Sequence, residues 1–167
     1  MVQHSDIDHT GILGTGSSSY FVRKTASEAV NNSTALQDDN HLIFPIAASE
    51  VWVAEYHIFY GGGNTTHDLK IGFTAPSGAT MIYGGIGADA ARGASVEGSI
   101  RNQVLTAGNP AYGSIATGSG DLFLLLSLQV ENSTTPGNVT LQWAMNSAQV
   151  MDLTLREGCW LAAHRVT

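Results

Sequence analysis

The sequence predicts an all-β fold, an antiparallel β-sandwich or jelly roll of about 8–10 strands behind an extended N-terminal arm. Three observations predict it. Apolar and polar residues alternate with a period of two over four long segments. Clusters of Gly, Pro, Asn and Ser separate those segments. Charged residues make up only 13% of the 167-residue chain, and glycine fills 19 positions, which suits strand faces and turns that need little charge.

The elements follow in order. Residues 1–19 are polar and aperiodic and read as an arm, with residues 20–167 as a single domain. Strands are expected at 19–25 and 41–47. In 51–60, Trp52, Ala54, Tyr56, Ile58 and Tyr60 share one face and point inward. The opposite face, with Val51, Val53 and Phe59, is apolar enough to pack against a partner. Segment 68–75 places Leu69, Ile71, Phe73 and Ala75 together. Segment 122–131 does the same with Leu122, Leu124, Leu126, Leu128 and Val130. In 138–146, Val139, Leu141, Trp143 and Met145 alternate with Thr140, Gln142, Ala144 and Asn146, the second set facing solvent. Weaker strand patterns lie at 79–84, 99–106, 112–117 and 158–166, and a helix is the alternative for 88–97. Gly61–Asn64, Pro76–Gly78 and Thr135–Asn138 read as hairpins or short loops.

Charge and cysteine content exclude several classes. A net charge of −7 with two lysines argues against nucleic acid, whose phosphates demand clustered Lys and Arg. The longest strongly apolar run, 122–128, is too short to span a bilayer. The opening MVQHSDIDHTG lacks a basic stretch followed by an apolar one and is not read as a secretory signal. Cys159 is the single cysteine, so no disulfide forms within the chain, and it reads as a small buried hydrophobe.

Motifs with chemical potential are sparse. Gly85–Ala90 fits G-x-G-x-x-A, but without a βαβ setting or a downstream acidic residue it reads as a loop whose glycines take positive φ. His4, Asp6, Asp8 and His9 could ligate a metal, although a polar terminal segment is the plainer reading. Asp38–Asn40 reads as a turn before a strand at His41 rather than as part of a calcium site. Histidines 41, 57, 67 and 164 show no zinc spacing, and Glu55 has no evident carboxylate partner for glycosidase chemistry. The N-x-S/T sequons at Asn31, Asn32, Asn64, Asn132 and Asn138 reflect a composition rich in these residues. Trp52, Tyr56 and Tyr60 read as core rather than as a sugar platform, and Trp160 reads as a sheet residue.

Three stretches carry a family resemblance: Asp8–Gly11, Leu36–Ala48 continuing through 52–60 and 68–78, and the close at Glu157–Val166. Together they resemble small virion structural proteins of tailed bacteriophages, the group of head decoration proteins and globular fibre domains. The resemblance implies a compact β-sandwich or jelly roll, often trimeric and bound to a capsid lattice, with no active-site residue to transfer. Gly85–Gly98 has no counterpart in it.

The function expected is therefore non-enzymatic: a capsid decoration or stabilising subunit bridging the major capsid protein. The expected protein is a homotrimer on the capsid exterior, assembled in host cytoplasm, without metal or cofactor. The arm residues His4, Asp6, Asp8, His9 and Thr10 are the expected attachment site. The alternative is a receptor- or carbohydrate-binding domain of a phage tail or fibre.

Overall fold

In the computed structural model, the described residues are 18–63, 66–90, 100–114 and 120–166. They form twelve strands: β1 (Ser19–Arg23), β2 (Glu28–Val30), β3 (Gln37–Ile46), β4 (Val51–Gly62), β5 (Leu69–Thr74), β6 (Thr80–Ala88), β7 (Ile100–Leu105), β8 (Ala111–Tyr112), β9 (Leu122–Glu131), β10 (Gly137–Met145), β11 (Leu153–Leu155) and β12 (Trp160–Arg165). Every pairing is antiparallel. The fold is all-β, as the alternation predicts.

Two sheets share the strands. The larger runs β1-β12-β4-β9-β6-β7, with β2 and β11 continuing β1 and β12 along the same edge of β4. The smaller runs β3-β10-β5-β8. Treating β1/β2 and β11/β12 as one broken strand each, and setting aside β6 and β7, leaves eight strands. Their orders are 1-8-3-6 and 2-7-4-5, the order of a jelly roll. The β6–β7 hairpin is an insertion that widens the larger sheet beyond β9. The two broken strands account for twelve elements where about ten were expected.

The core lies between the sheets and uses the inward faces read from the alternation. Trp52, Ala54, Tyr56, Ile58 and Tyr60 of β4 meet Leu141, Trp143 and Met145 of β10 and Leu42, Phe44 and Ile46 of β3 in one buried cluster. Each large apolar side chain so buried contributes about 1.5–3 kcal/mol. On β10 the expectation fails in part: Thr140 and Ala144 are buried as well. The loop before β3 helps cover this face: Leu36 Cδ1 lies 2.9 Å from where a Cβ on Gly72 of the neighbouring strand would stand, so it fills the space a side chain there would need.

Two further readings are corrected, and one is decided between its alternatives. Where the sequence leaves hairpins or short loops open for Gly61–Asn64, Pro76–Gly78 and Thr135–Asn138, the flanking strands lie in opposite sheets, so none closes a hairpin and the short-loop alternative holds. Gly61 and Gly62 belong to β4, where a Cβ would strike Asp121 Oδ1 at 2.5 Å and His67 Cβ at 2.5 Å. Asp38–Asn40 is not a turn before a strand but lies inside β3, at a bulge where its register against β10 shifts. Gly85 and Gly87 are extended residues of β6, outside the positive-φ glycines 78, 108, 120 and 158. A Cβ on either would meet β9 and Tyr112: at Gly85 the Leu125 carbonyl and Leu126 Cδ2 at 2.6 Å and Tyr112 Oη at 2.8 Å, at Gly87 Leu124 Cδ1 at 2.9 Å and Tyr112 Cδ1 at 3.0 Å.

Of the helix alternative at 88–97, Ala88 closes β6 and Asp89 bridges to Tyr112, while 91–97 lie outside the described residues. Within the range expected as arm, Ser19 already pairs with His164, and Ser18 carbonyl accepts the Arg165 amide at 2.9 Å.

Candidate functional site

The outward face of the larger sheet is the candidate site, and strand register builds it. Cross-strand partners stand in rows perpendicular to the strands. One row runs Phe21, Ala162, Glu55, Ser127, Gly84 and Val104, one residue from each of six strands. At about 4.8 Å per strand it extends about 24 Å. Ala162, Ser127 and Gly84 in its middle are small, so the row, with Glu55 among them, forms the floor of a trough. His164, Val53, Gln129 and Ile82 make one wall, and Trp160, His57, Leu125 and Ile86 make the other.

Two concavities follow this floor and share Val53 and Ser127. One, of about 390 Å³, is lined by Ile82, Gly84, Ile86, Val104 and Leu125. The other, of about 300 Å³, is lined by Glu55, Ala162 and His164. Glu55 supplies the carboxylate on the floor.

A row of rings borders the trough. Phe21 and Trp160 have centroids 5.4 Å apart, and Trp160 stacks on His57 at 3.7 Å with planes 13° apart. His57 then meets Phe123 at 5.4 Å, and Phe123 meets Phe59 at 5.5 Å. The face is not sequestered: Phe21 is 69% exposed and Val104 70%, with Val53, Phe59, Ile82, Ile86 and Phe123 all exposed. Scattered apolar side chains on a surface are ordinary, but here exposed apolar side chains from β1, β4, β6, β7 and β9 gather on one face around the polar Glu55, Ser127, Gln129 and His164, and such a grouping marks an interaction surface.

Of the residues singled out in the sequence, Val53 and Phe59 of the apolar second face of 51–60 fall on the trough and ring row, together with Glu55, His57, His164 and Trp160. Trp52, Tyr56 and Tyr60 are in the core. Trp160 is a sheet residue, yet its half-buried ring is the centre of the ring row. The ring row was missed because it draws one ring each from β1, β9 and β12 and two from β4, which only sheet register brings together. Its signal in the sequence is the second apolar face of 51–60 and of 122–125.

His4, Asp6, Asp8, His9 and Thr10 lie outside the described residues. Among the described residues, no three His, Cys, Asp or Glu side chains gather as a metal site would require. Asn132 is buried and its amide donates to Ala47 and Thr135 carbonyls, which makes that sequon structural. Cys159 is buried, and desolvation pushes its thiol pKa up.

A second cluster lies inside, where β1/β2 and β11/β12 are broken. Lys24 and Asp39 are both 0% exposed, and Lys24 Nζ lies 2.7 Å from Asp39 Oδ2 and 2.7 Å from Glu28 Oε2. Asp39 Oδ1 accepts the amides of His41 and Leu42, each at 2.9 Å. The pair joins the larger sheet to the smaller, and the alternation of β3 conceals it.

No protein-family model matches the chain, and no curated protein sequence matches it. Among solved structures it is faintly similar to infectious bursal disease virus particles. Against the Gx strain structure it has 10% identity over 90% of this chain and 41% of that chain, with a TM-score of 0.23. Against the VP2 subviral particle the values are 8%, 92%, 42% and 0.23. Against the T13 viral particle they are 12%, 90%, 39% and 0.24. The chain thus spans about two fifths of the length of these proteins, and a likeness this faint leaves function to be argued from the chain's own geometry.

Proposed function

We propose that this chain is a non-enzymatic virion structural protein, a capsid decoration or stabilising subunit that binds the major capsid lattice. The observation that carries the reading is the exposed trough, with Val53, Ile82, Ile86 and Val104 beside the Glu55 carboxylate, and its ring row. Such a face lowers its free energy when a neighbouring subunit covers it. The jelly-roll order adds support, since capsid proteins use this architecture, as lectins and cupins also do. Residues 1–19 act as the attachment arm through His4, Asp6, Asp8, His9 and Thr10, and residues 20–167 form the body. β1 stands at the edge of the larger sheet, and an extended segment can add to a neighbour's sheet by main-chain bonds. The assembled form is a homotrimer on the capsid exterior.

The test uses particles lacking this protein and measures occupancy after adding back the purified chain. Removing residues 1–17, which spares β1, and Phe123→Glu on the outer face should each lower occupancy at least tenfold. Unchanged occupancy with both variants overturns the reading. Light scattering tests the trimer, and a monomer at micromolar concentration overturns it.

The ring row also favours a second reading, a receptor- or carbohydrate-binding domain, because exposed rings stack on sugar faces. Glycan binding that is lost in Trp160→Ala, with particle occupancy unaffected, would select it over the first.

A further inference from the structure

We propose that Lys24 and Asp39 join through an intramolecular amide bond formed by the protein itself, with Glu28 carrying the proton. The reading is independent of the outer face and rests on the buried cluster.

The geometry has the parts such a condensation needs. Nζ of Lys24 is the nucleophile, held against the Asp39 carboxyl at 2.7 Å. The lysine backbone is pinned on both sides, its amide on Cys159 carbonyl at 2.7 Å and its carbonyl on the Gly158 amide at 2.8 Å, so the side chain has a fixed origin. Glu28 Oε2 sits 2.7 Å from the same Nζ and is partly exposed, which connects the site to solvent. Oδ1 of Asp39, the oxygen on which negative charge would develop, already receives two backbone amides at 2.9 Å. Paired amides on a developing oxyanion form the arrangement that stabilises tetrahedral intermediates. Full burial of Lys24 and Asp39 keeps bulk water from reversing the step.

The step balances. Glu28 takes a proton from the Lys24 ammonium, leaving a free amine that attacks Asp39 Cγ. The C–N bond forms and charge collects on Oδ1 between the His41 and Leu42 amides. The Cγ–Oδ2 bond then breaks, and Oδ2 leaves as water with two protons that began on Nζ, one of them relayed by Glu28. One ammonium and one carboxylate become one amide and one water, Glu28 is regenerated, and nothing is oxidised or reduced.

The bond would tie the strand that follows the arm to β3 of the opposite sheet. A chain with a single cysteine has no internal disulfide to do this.

The measurement is the intact mass of the purified, denatured full-length chain. The expected mass is that of the sequence less one water, with trypsin failing to cut after Lys24 and fragment ions missing between residues 24 and 39. A mass equal to the sequence, with cleavage after Lys24, overturns the proposal and leaves a buried ion pair. Three variants sharpen the test. Lys24→Arg should restore the full sequence mass. Asp39→Asn should lose ammonia in place of water. Glu28→Gln should slow the loss at least tenfold in freshly refolded protein, and an unchanged rate would remove Glu28 from the mechanism.

Discussion

Trp160 lies flat on the imidazole of His57, ring centroids 3.7 Å apart and planes within 13°, on the outward face of the larger sheet. Trp52 and Trp143, the other two tryptophans, are buried in the core. One indole is therefore partly exposed to solvent while two report on packing. Acrylamide should quench only the Trp160 component of the fluorescence, and Trp160→Phe should abolish most of that quenching with little change in stability. If a partner covers the trough, its addition should protect the same component. Quenching that survives in Trp160→Phe would mean the core indoles are reached instead.

Glu50 gives stability a dependence on acid. Partial burial pushes its carboxyl pKa up, but hydrogen bonds from Arg165, the Ala47 amide and the Trp52 indole outweigh that and hold it below the usual value. The Arg165 contact is 2.8 Å, the Ala47 contact 2.8 Å and the indole contact 2.9 Å. A carboxyl with a lowered folded pKa contributes stability above its unfolded pKa and loses it as pH falls through the folded one. Glu50→Gln should cost on the order of 1 kcal/mol at neutral pH, given partial solvent screening, and little at pH 3. Urea titrations at the two pH values check the convergence.

His67 acts in a higher window. Burial lowers its pKa, and Asp152 opposes only in part. Its Nδ1 accepts the Gly63 amide at 2.6 Å, which requires that nitrogen unprotonated. The native state thus holds a neutral ring that the unfolded chain protonates below about pH 6.5. The unfolded state then binds more protons, so stability falls as pH drops from about 6.5 toward the lower folded pKa. In His67→Gln this part of the slope between pH 6.5 and 5 should disappear, as measured by melting temperature.

Gly85 is a packing glycine. A Cβ there would stand 2.6 Å from Leu125 carbonyl and 2.6 Å from Leu126 Cδ2, and the carbonyl belongs to a paired strand that cannot yield cheaply. Gly85→Ala should cost about 1–3 kcal/mol, read from urea unfolding, without altering the sheet spectrum. A neutral result would show that β6 shifts freely on β9.

Cys159 tests the seam between the broken edge strands. Its Sγ receives the Phe59 amide at 3.2 Å, and burial raises its thiol pKa. A thiol reagent at pH 8 should label native protein only at the rate of opening, so labelling should accelerate with urea. Immediate labelling in native buffer would show that β12 separates from β4.

The sequence by itself determined the long strands and most of their inward faces. Side-chain direction alternates along any extended segment, so Trp52, Tyr56, Ile58, Leu124, Leu126 and Trp143 declare their burial without knowledge of neighbours. Only the tertiary structure decided which strands meet. Turn residues at Gly61–Asn64, Pro76–Gly78 and Thr135–Asn138 mark a reversal, but a hairpin and a crossing between sheets use the same local chemistry. Register then decided the function-bearing features. Phe21, Trp160, His57, Phe123 and Phe59 become one ring row through antiparallel pairing of four strands. Lys24 and Asp39, fifteen positions apart on opposite sheets, meet at breaks and a bulge that alternation cannot encode, because burying a charge depends on a partner supplied from elsewhere in the chain.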